Sequence, residues 1–246
     1  MIEDKLLIQE SLYEFPYHYL PYLDHGGGAI KVSRQLAWGL EYMTYLSFLV
    51  DLIMRLSPRS LLDVGCGDGR LINMIKPSIP VVRGIHLSFK ALSFAQAFNP
   101  EVRFTCGDVS DISEKYQVAT CIEVLEHIPD NAIHSFIKDI ANCIEAKGWL
   151  IISVPTVNVP LNKKHYRHYS FETLQTLVSS HFEIEKHWWL YRKSTIERLL
   201  RLFLCNRLFI TNNARLRSLI WKMHKRMTYN AGPSNGSHLV CLAKPK

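Results

Sequence analysis

The chain has 246 residues, 48% apolar and 21% charged, a balance that excludes disordered and fibrous proteins and allows one large domain or one domain with an appendage. No stretch approaches the roughly 18 apolar residues of a membrane helix; Met43 to Met54 comes nearest and is broken by Asp51. The net charge of +7 resides in one segment, because ten basic residues and one acid, Glu197, lie between Arg192 and Met227, leaving the rest of the chain slightly acidic. An anionic partner is expected to meet the protein there. The acidic start Met1-Ile-Glu-Asp-Lys5 predicts no secretory signal. Cys66, Cys106, Cys121, Cys143, Cys205 and Cys241 form no Cys-x-x-Cys pair, which argues against a zinc site or a disulfide scaffold and fits a reducing, cytoplasmic setting.

Residues 1–33 read as irregular, rich in aromatics from Tyr13 to Tyr22 and ending in Gly26-Gly27-Gly28. Leu36, Leu40, Met43 and Leu46 recur at helical spacing, which predicts a helix over 33–54. Strands and helices then alternate: strand 60–64, helix 69–75, strand 81–85, helix 89–98, strands 102–106 and 118–122, helix 132–146 and strand 149–154. A helix over 171–179 and strands over 182–189 and 238–243 complete the pattern. Such alternation predicts an α/β fold with a doubly wound, mostly parallel sheet of seven strands. The division follows: an N-terminal lid and helix over 1–56, the main domain over 57–191 and 236–246, and a basic amphipathic helical insertion over 192–235.

The strongest signal is Ser60-Leu-Leu-Asp-Val-Gly-Cys-Gly-Asp-Gly-Arg70. An apolar strand runs into Gly65, Gly67 and Gly69, where glycine lets a ligand approach the backbone, and the next helix begins with unpaired N–H groups. A dinucleotide loop would place glycine at the position of Arg70. The Asp63-x-Gly-x-Gly-x-Gly spacing instead resembles motif I of class I S-adenosylmethionine-dependent methyltransferases, and the resemblance runs from about Leu61 to Phe182. Phe104-Thr-Cys-Gly-Asp-Val109 looks like the family's third motif, Cys121-Ile-Glu-Val-Leu-Glu-His-Ile-Pro129 like the segment after the fourth strand, and Gly148–Pro155 like the fifth strand. The resemblance implies a Rossmann-like methyltransferase fold and cofactor contacts from Asp63, Gly65, Cys66, Gly67, Gly69, His86, Leu87, Asp108, Val109 and Glu123. One position departs from it. The family usually has Asp or Glu after the second strand to hold both ribose hydroxyls. Here His86 stands in that place, and a neutral imidazole accepts only one hydrogen bond, so the expectation is either a lower cofactor affinity or help from a neighbour such as Ser88.

Glu123, Glu126 and His127 have the i, i+3, i+4 spacing that shares one face of a helical turn. Two carboxylates and an imidazole suit a divalent ion or acid–base work. The pattern is similar to that of ubiquinone-pathway O-methyltransferases and small-RNA 2′-O-methyltransferases, where it implies a metal beside the acceptor hydroxyl. The expected metal set is Glu123, Glu126, His127 and His168, holding Mg²⁺, Mn²⁺ or Fe²⁺; the candidate proton acceptors are His127, Glu126 and His168. His165-Tyr-Arg-His-Tyr169 follows the fifth strand, at the edge where doubly wound sheets bind ligands, and Ser170 reads as a helix N-cap.

In the C-terminal insertion, Ile196, Leu199, Leu200 and Phe203, then Leu216, Leu219, Ile220 and Met223, read as apolar faces beside basic residues. They suggest peripheral membrane contact through 192–227 or a cap packed on the core. The leading expectation is O-methylation of a small-molecule, sugar or lipid-linked acceptor. Methylation of RNA ribose and a non-catalytic binding protein are the alternatives; nucleic acid is the weaker partner because no RNA-binding module is recognisable.

Overall fold

The computed structural model describes residues 2–11, 13, 22–23, 30–31, 39–192, 199, 202 and 213–246. In chain order these form α1 (Ile2–Ser11), β1 (Tyr22–Leu23), β2 (Ile30–Lys31), α2 (Gly39–Leu56), β3 (Ser60–Val64), α3 (Arg70–Ile75), β4 (Val81–His86), α4 (Phe89–Phe98) and β5 (Arg103–Cys106). There follow β6 (Tyr116–Ile122), α5 (Ile133–Asn142), β7 (Ile144–Pro155), α6 (Phe171–Val178), β8 (Phe182–Arg192), α7 (Ala214–Tyr229) and β9 (Gly236–Pro245). Seven strands make one sheet in the order β5-β4-β3-β6-β7-β9-β8. Its first five strands are parallel; β9 runs antiparallel between β7 and β8. The order reverses between β3 and β6, so their carboxyl ends open the crevice in which doubly wound sheets bind ligands.

The central strands are apolar on both faces, as a covered parallel sheet requires. Leu62, Val64, Ala119, Cys121 and Ile152 pack on Ile133, Ile137 and Ile140 of α5. Leu61, Val118, Ile151 and Val240 face Leu46, Leu49 and Ile53 of α2 and Leu71 and Ile75 of α3.

Three expectations change. The N-terminus contains a helix, α1; its apolar Leu6, Leu7 and Ile8 are consecutive, so no periodicity announces it. Helix α5 ends at Asn142 and not at Ala146. Ile144 keeps helical spacing but pairs with Tyr116 at the start of a long β7, and Gly148 permits the irregular register that follows. In the insertion, Ile220 and Trp221 pack on Leu40 and Met43 of α2, whereas Leu216, Leu219 and Met223 are exposed. The expected single apolar face is therefore split. Residues 33–38 of the expected first long helix, and most of the insertion before Asn213, lie outside the described residues.

Candidate active site

The glycine loop leaves β3 at Val64. Gly65 and Cys66 donate their N–H groups to the Ile85 carbonyl at 2.8 and 3.1 Å, pinning the loop to β4. Gly67 has φ +56, and a Cβ there would lie 3.2 Å from the Tyr13 hydroxyl. The Tyr13 hydroxyl therefore sits close over the glycine cradle as its roof; Tyr13 belongs to the aromatic run of the N-terminal segment expected as a lid. Gly69, φ +76, is needed for packing: a Cβ would crowd Ala95 of α4. Arg70, standing where a dinucleotide loop has glycine, is buried and reaches Asn73 at 3.2 Å and the Met43 sulfur at 3.9 Å. Asp63 is buried below the loop and accepts a hydrogen bond from the Thr120 hydroxyl at 2.7 Å. Burial pushes its carboxyl up to about 7 against that bond.

His86 ends β4. Its Nδ1 accepts the Ser88 N–H at 2.9 Å, so Nε2 carries the ring hydrogen. The expectation that His86 accepts a ribose hydroxyl is corrected: its one acceptor is already used, and it offers a donor instead. The Ser88 hydroxyl oxygen caps α4 by accepting the Ala91 N–H at 3.0 Å, which uses one of its two acceptor positions. Tyr13 meets the His86 ring edge-on at 5.7 Å. Leu87 and Asp108 line a cleft of about 240 Å³ whose other walls include Lys5, His127, Ile128, Pro129, Phe136, Lys164 and Tyr166. Val109 behind Asp108 is buried in the core, and Asp108 also caps the turn that follows by accepting the Ser110 N–H at 3.3 Å.

Glu123, just past β6, has φ +55, a left-handed conformation for a non-glycine residue. Its Oε1 accepts the Ser153 hydroxyl at 3.0 Å and the Tyr45 hydroxyl at 3.4 Å, and lies 3.3 Å from His238 Nδ1. Tyr45 also donates to Ser153 Oγ at 2.6 Å and lies against the His238 ring at 4.8 Å. Burial opposes ionisation of Glu123, but His238 and the Ser153 bond outweigh it and hold the carboxyl below its ordinary range. Tyr45, Ser153 and His238 were not anticipated. In sequence Tyr45 reads as a core position of α2, and Ser153 and His238 read as strand residues. Only the pairing of His238 with Pro155 brings β9 to the site.

The segment after Glu123 turns Glu126 inward, 1% exposed. Its Oε1 lies 3.8 Å from His127 Nε2, and its buried Oε2 has no hydrogen-bond partner. Burial and the Glu123 charge hold this carboxyl well above its ordinary range. His127 Nδ1 donates to the Lys164 carbonyl at 3.2 Å, so Nε2 has a lone pair. His168 Nδ1 donates to the Val159 carbonyl at 3.0 Å, and its Nε2 therefore accepts from His165 Nδ1 at 2.8 Å. That relay leaves His165 Nε2 with its lone pair free. Burial, then the Lys164 charge, push His127 down to about 4; burial, then His127, push His165 down to about 3. Both imidazoles are neutral at neutral pH. Ligand atoms of Glu126, His127 and His165 all lie within 4.8 Å of one another. The expected set is corrected on two members. Glu123 is turned to Ser153 and His238, and both nitrogens of His168 are engaged, so His168 positions His165 and is neither ligand nor base. From α1, Lys5 donates to the carbonyls of Lys163 and His165 at 3.1 and 2.7 Å and sits over the Tyr166 ring, tying the N-terminus to this loop.

The sheet order, the glycine cradle and the crevice at the β3/β6 reversal define a class I S-adenosylmethionine-dependent methyltransferase. The sequence profile described as "Methyltransferase domain" matches residues 40–203, and the chain belongs to that family. Ubiquinone biosynthesis O-methyltransferase of Paracidovorax citrulli is 33% identical over 118 residues, 44% of this chain and 48% of the relative. The protein of the same name from Nitrosomonas europaea is 34% identical over 116 residues, with the same coverage. The chain thus spans about half the length of these curated relatives. Among solved structures, magnesium protoporphyrin IX methyltransferase of Synechocystis PCC 6803 with bound S-adenosylmethionine shares the fold at a TM-score of 0.61. It has 15% identity and covers 99% of this chain and 97% of its own. An N-methyltransferase from Bradyrhizobium japonicum in complex with S-adenosylhomocysteine has a TM-score of 0.56 at 13% identity, covering 81% and 86%. The chain is thus a member of a methyltransferase family and has the fold of structures solved with S-adenosylmethionine or S-adenosylhomocysteine bound.

Proposed function

We propose that the protein transfers a methyl group to a hydroxyl oxygen of a small or lipid-linked acceptor. One observation carries this reading. A buried carboxylate with an unsatisfied oxygen faces two neutral imidazoles, one of which borders the cleft that also exposes Asp108. O-methylation needs a group that removes a hydroxyl proton, and a neutral imidazole with a free lone pair does so. The O-methyltransferase names of the curated relatives agree with it.

When bound, S-adenosylmethionine supplies an electrophilic sulfonium methyl. The chain's own groups do the rest. Gly65, Gly67 and Gly69 leave backbone space for the methionine part, His86 donates from Nε2 toward the ribose, and Asp108 stands where an adenine amino group would meet it. Tyr13 and α1 close over the site and exclude water. His127 Nε2 takes the acceptor's proton, and proximity and orientation supply much of the rate. As an alternative use of the same His127 Nε2 lone pair, Glu126, His127 and His165 fit a divalent ion, because an orphaned buried carboxyl oxygen and two lone pairs fixed by carbonyl and imidazole partners are what such an ion needs. Bound there, the ion would lower the pKa of the acceptor hydroxyl. Imidazole donors favour Mn²⁺ or Fe²⁺ over Mg²⁺.

The test is methyl transfer from labelled S-adenosylmethionine to catechols and to polyprenylated phenols, with and without chelator. Transfer to oxygen that is lost in His127→Gln supports the assignment. Transfer only to nitrogen or carbon acceptors overturns it. Full activity in excess chelator removes the ion and leaves His127 as the base.

A further inference from the structure

Helix α7 has two faces. Arg217, Ile220, Trp221, His224 and Thr228 turn inward. Trp221 donates to the Thr44 hydroxyl at 3.1 Å, and the Tyr229 hydroxyl to the Thr44 carbonyl at 3.0 Å. The helix is therefore anchored without its other side. On that side Leu216, Leu219 and Met223 are 42%, 56% and 43% exposed. Arg215, Lys222 and Arg226 are exposed beside them. At 3.6 residues per turn, the two leucines and the methionine form one stripe and the three cations the adjoining stripe of a single outward arc. No Asp or Glu occurs between Asn213 and Tyr229. Lys225, by contrast, is turned in to Ser47 at 3.0 Å and Asp51 at 3.8 Å, so Asp51 is already matched. Leu199 and Leu202, in the same basic segment, are also exposed.

We propose that α7 lies on an anionic phospholipid surface, its Leu216, Leu219 and Met223 stripe entering the headgroup–acyl boundary and Arg215, Lys222 and Arg226 meeting lipid phosphates. The charge pattern selects this occupant. A partner helix covering an apolar stripe would be matched by uncharged or mixed edges, whereas an apolar stripe bordered by cations alone fits a negatively charged interface. RNA would use the cations and leave the leucines in water. The inference is independent of the proposed reaction and is tested without an activity readout.

The experiment is co-sedimentation of the full chain with phosphatidylcholine vesicles, with and without phosphatidylglycerol. Binding is expected only to the anionic vesicles and should weaken on raising salt to about 0.5 M. The pair Lys222→Ser and Arg226→Ser should lower partitioning roughly 30-fold at low salt, and the pair Leu219→Ser and Met223→Ser by roughly tenfold or more. Both pairs are exposed, so circular dichroism and S-adenosylhomocysteine binding should be unchanged; if the apolar pair misfolds, the charge pair still decides. No sedimentation with anionic vesicles, equal binding to neutral ones, or unchanged partitioning in the variants overturns the proposal. A concentration-dependent dimer abolished by Leu219→Ser would assign the face to a second copy. An RNA gel shift lost in the charge pair, without vesicle binding, would assign it to RNA.

Discussion

Asp63 should make the ligand-free protein less stable as the pH rises toward neutrality. Its carboxyl is buried, receives one hydroxyl bond from Thr120, and is pushed from 3.8 to about 7 by burial. In the unfolded chain the same group ionises near pH 4. Between about pH 4 and 7 the folded state therefore holds more protons than the unfolded one, and stability falls by about 1.4 kcal/mol per pH unit from this residue alone. The accumulated cost at pH 7 and above is about 4 kcal/mol. Below pH 4 both states are protonated and the cost vanishes. Asp63→Asn keeps the shape and the bond from Thr120 and removes the titration. Urea unfolding of both proteins across the range should give equal stabilities near pH 4 and a gap that widens to a few kcal/mol in favour of the variant by pH 8. A gap that is constant with pH, or a less stable variant at pH 8, would refute the argument. The same variant should bind S-adenosylmethionine more weakly. The carboxyl lies buried below the glycine loop, where its charge would stabilise a cationic ligand.

Other outcomes can be stated more briefly. Gly67→Val should abolish S-adenosylhomocysteine binding by calorimetry, because the side chain fills the cradle beneath Tyr13, while the left-handed backbone costs the fold only about 1–2 kcal/mol. His86→Asp should retain or tighten that binding, since a carboxylate accepts two ribose hydroxyls whereas the present imidazole offers a single donor; a tenfold loss would show that the Nε2 donor is essential. Because His127 and His165 are held neutral by burial, stability should fall as the pH drops from about 6.5 toward 4, and the double replacement by Gln should flatten that fall in thermal melts. Tyr13→Ala should weaken cofactor binding with little change in melting temperature, as it removes the roof and leaves the sheet intact.

The parallel half of the fold was legible because its signals are local. Val64-Gly65-Cys66-Gly67 is a strand running into a turn, and Ile133, Ile137 and Ile140 repeat at helical spacing. The site was legible only in part, for a reason of direction. Spacing placed Glu123, Glu126 and His127 on one helical face, but the backbone at Glu123 is left-handed and turns its carboxylate toward β7 and β9. The histidine loop offered two similar side chains, and which one keeps a free lone pair depends on the Val159 carbonyl, a backbone group that no residue identity reports. The same limit explains α7. Leu216, Leu219, Ile220 and Met223 are all apolar, and only the contact with α2 separates the one that is buried from the three that are not.

Strand β9 enters the sheet between β7 and β8, and β8 has no other neighbour. The outer part of the sheet must therefore wait for β9, and the long segment between β8 and β9 must close before β8 is fixed, which slows folding. His238 arrives on that strand. Until then Glu123 has Ser153 and Tyr45 but not the imidazole that helps hold its charge, so a chain whose first five strands have assembled already has its glycine loop and not yet a finished site. Completion of the sheet and maturation of the binding pocket would then share one late step. Refolding followed by ligand fluorescence should lag behind refolding followed by burial of Trp149, on the strand that forms earlier.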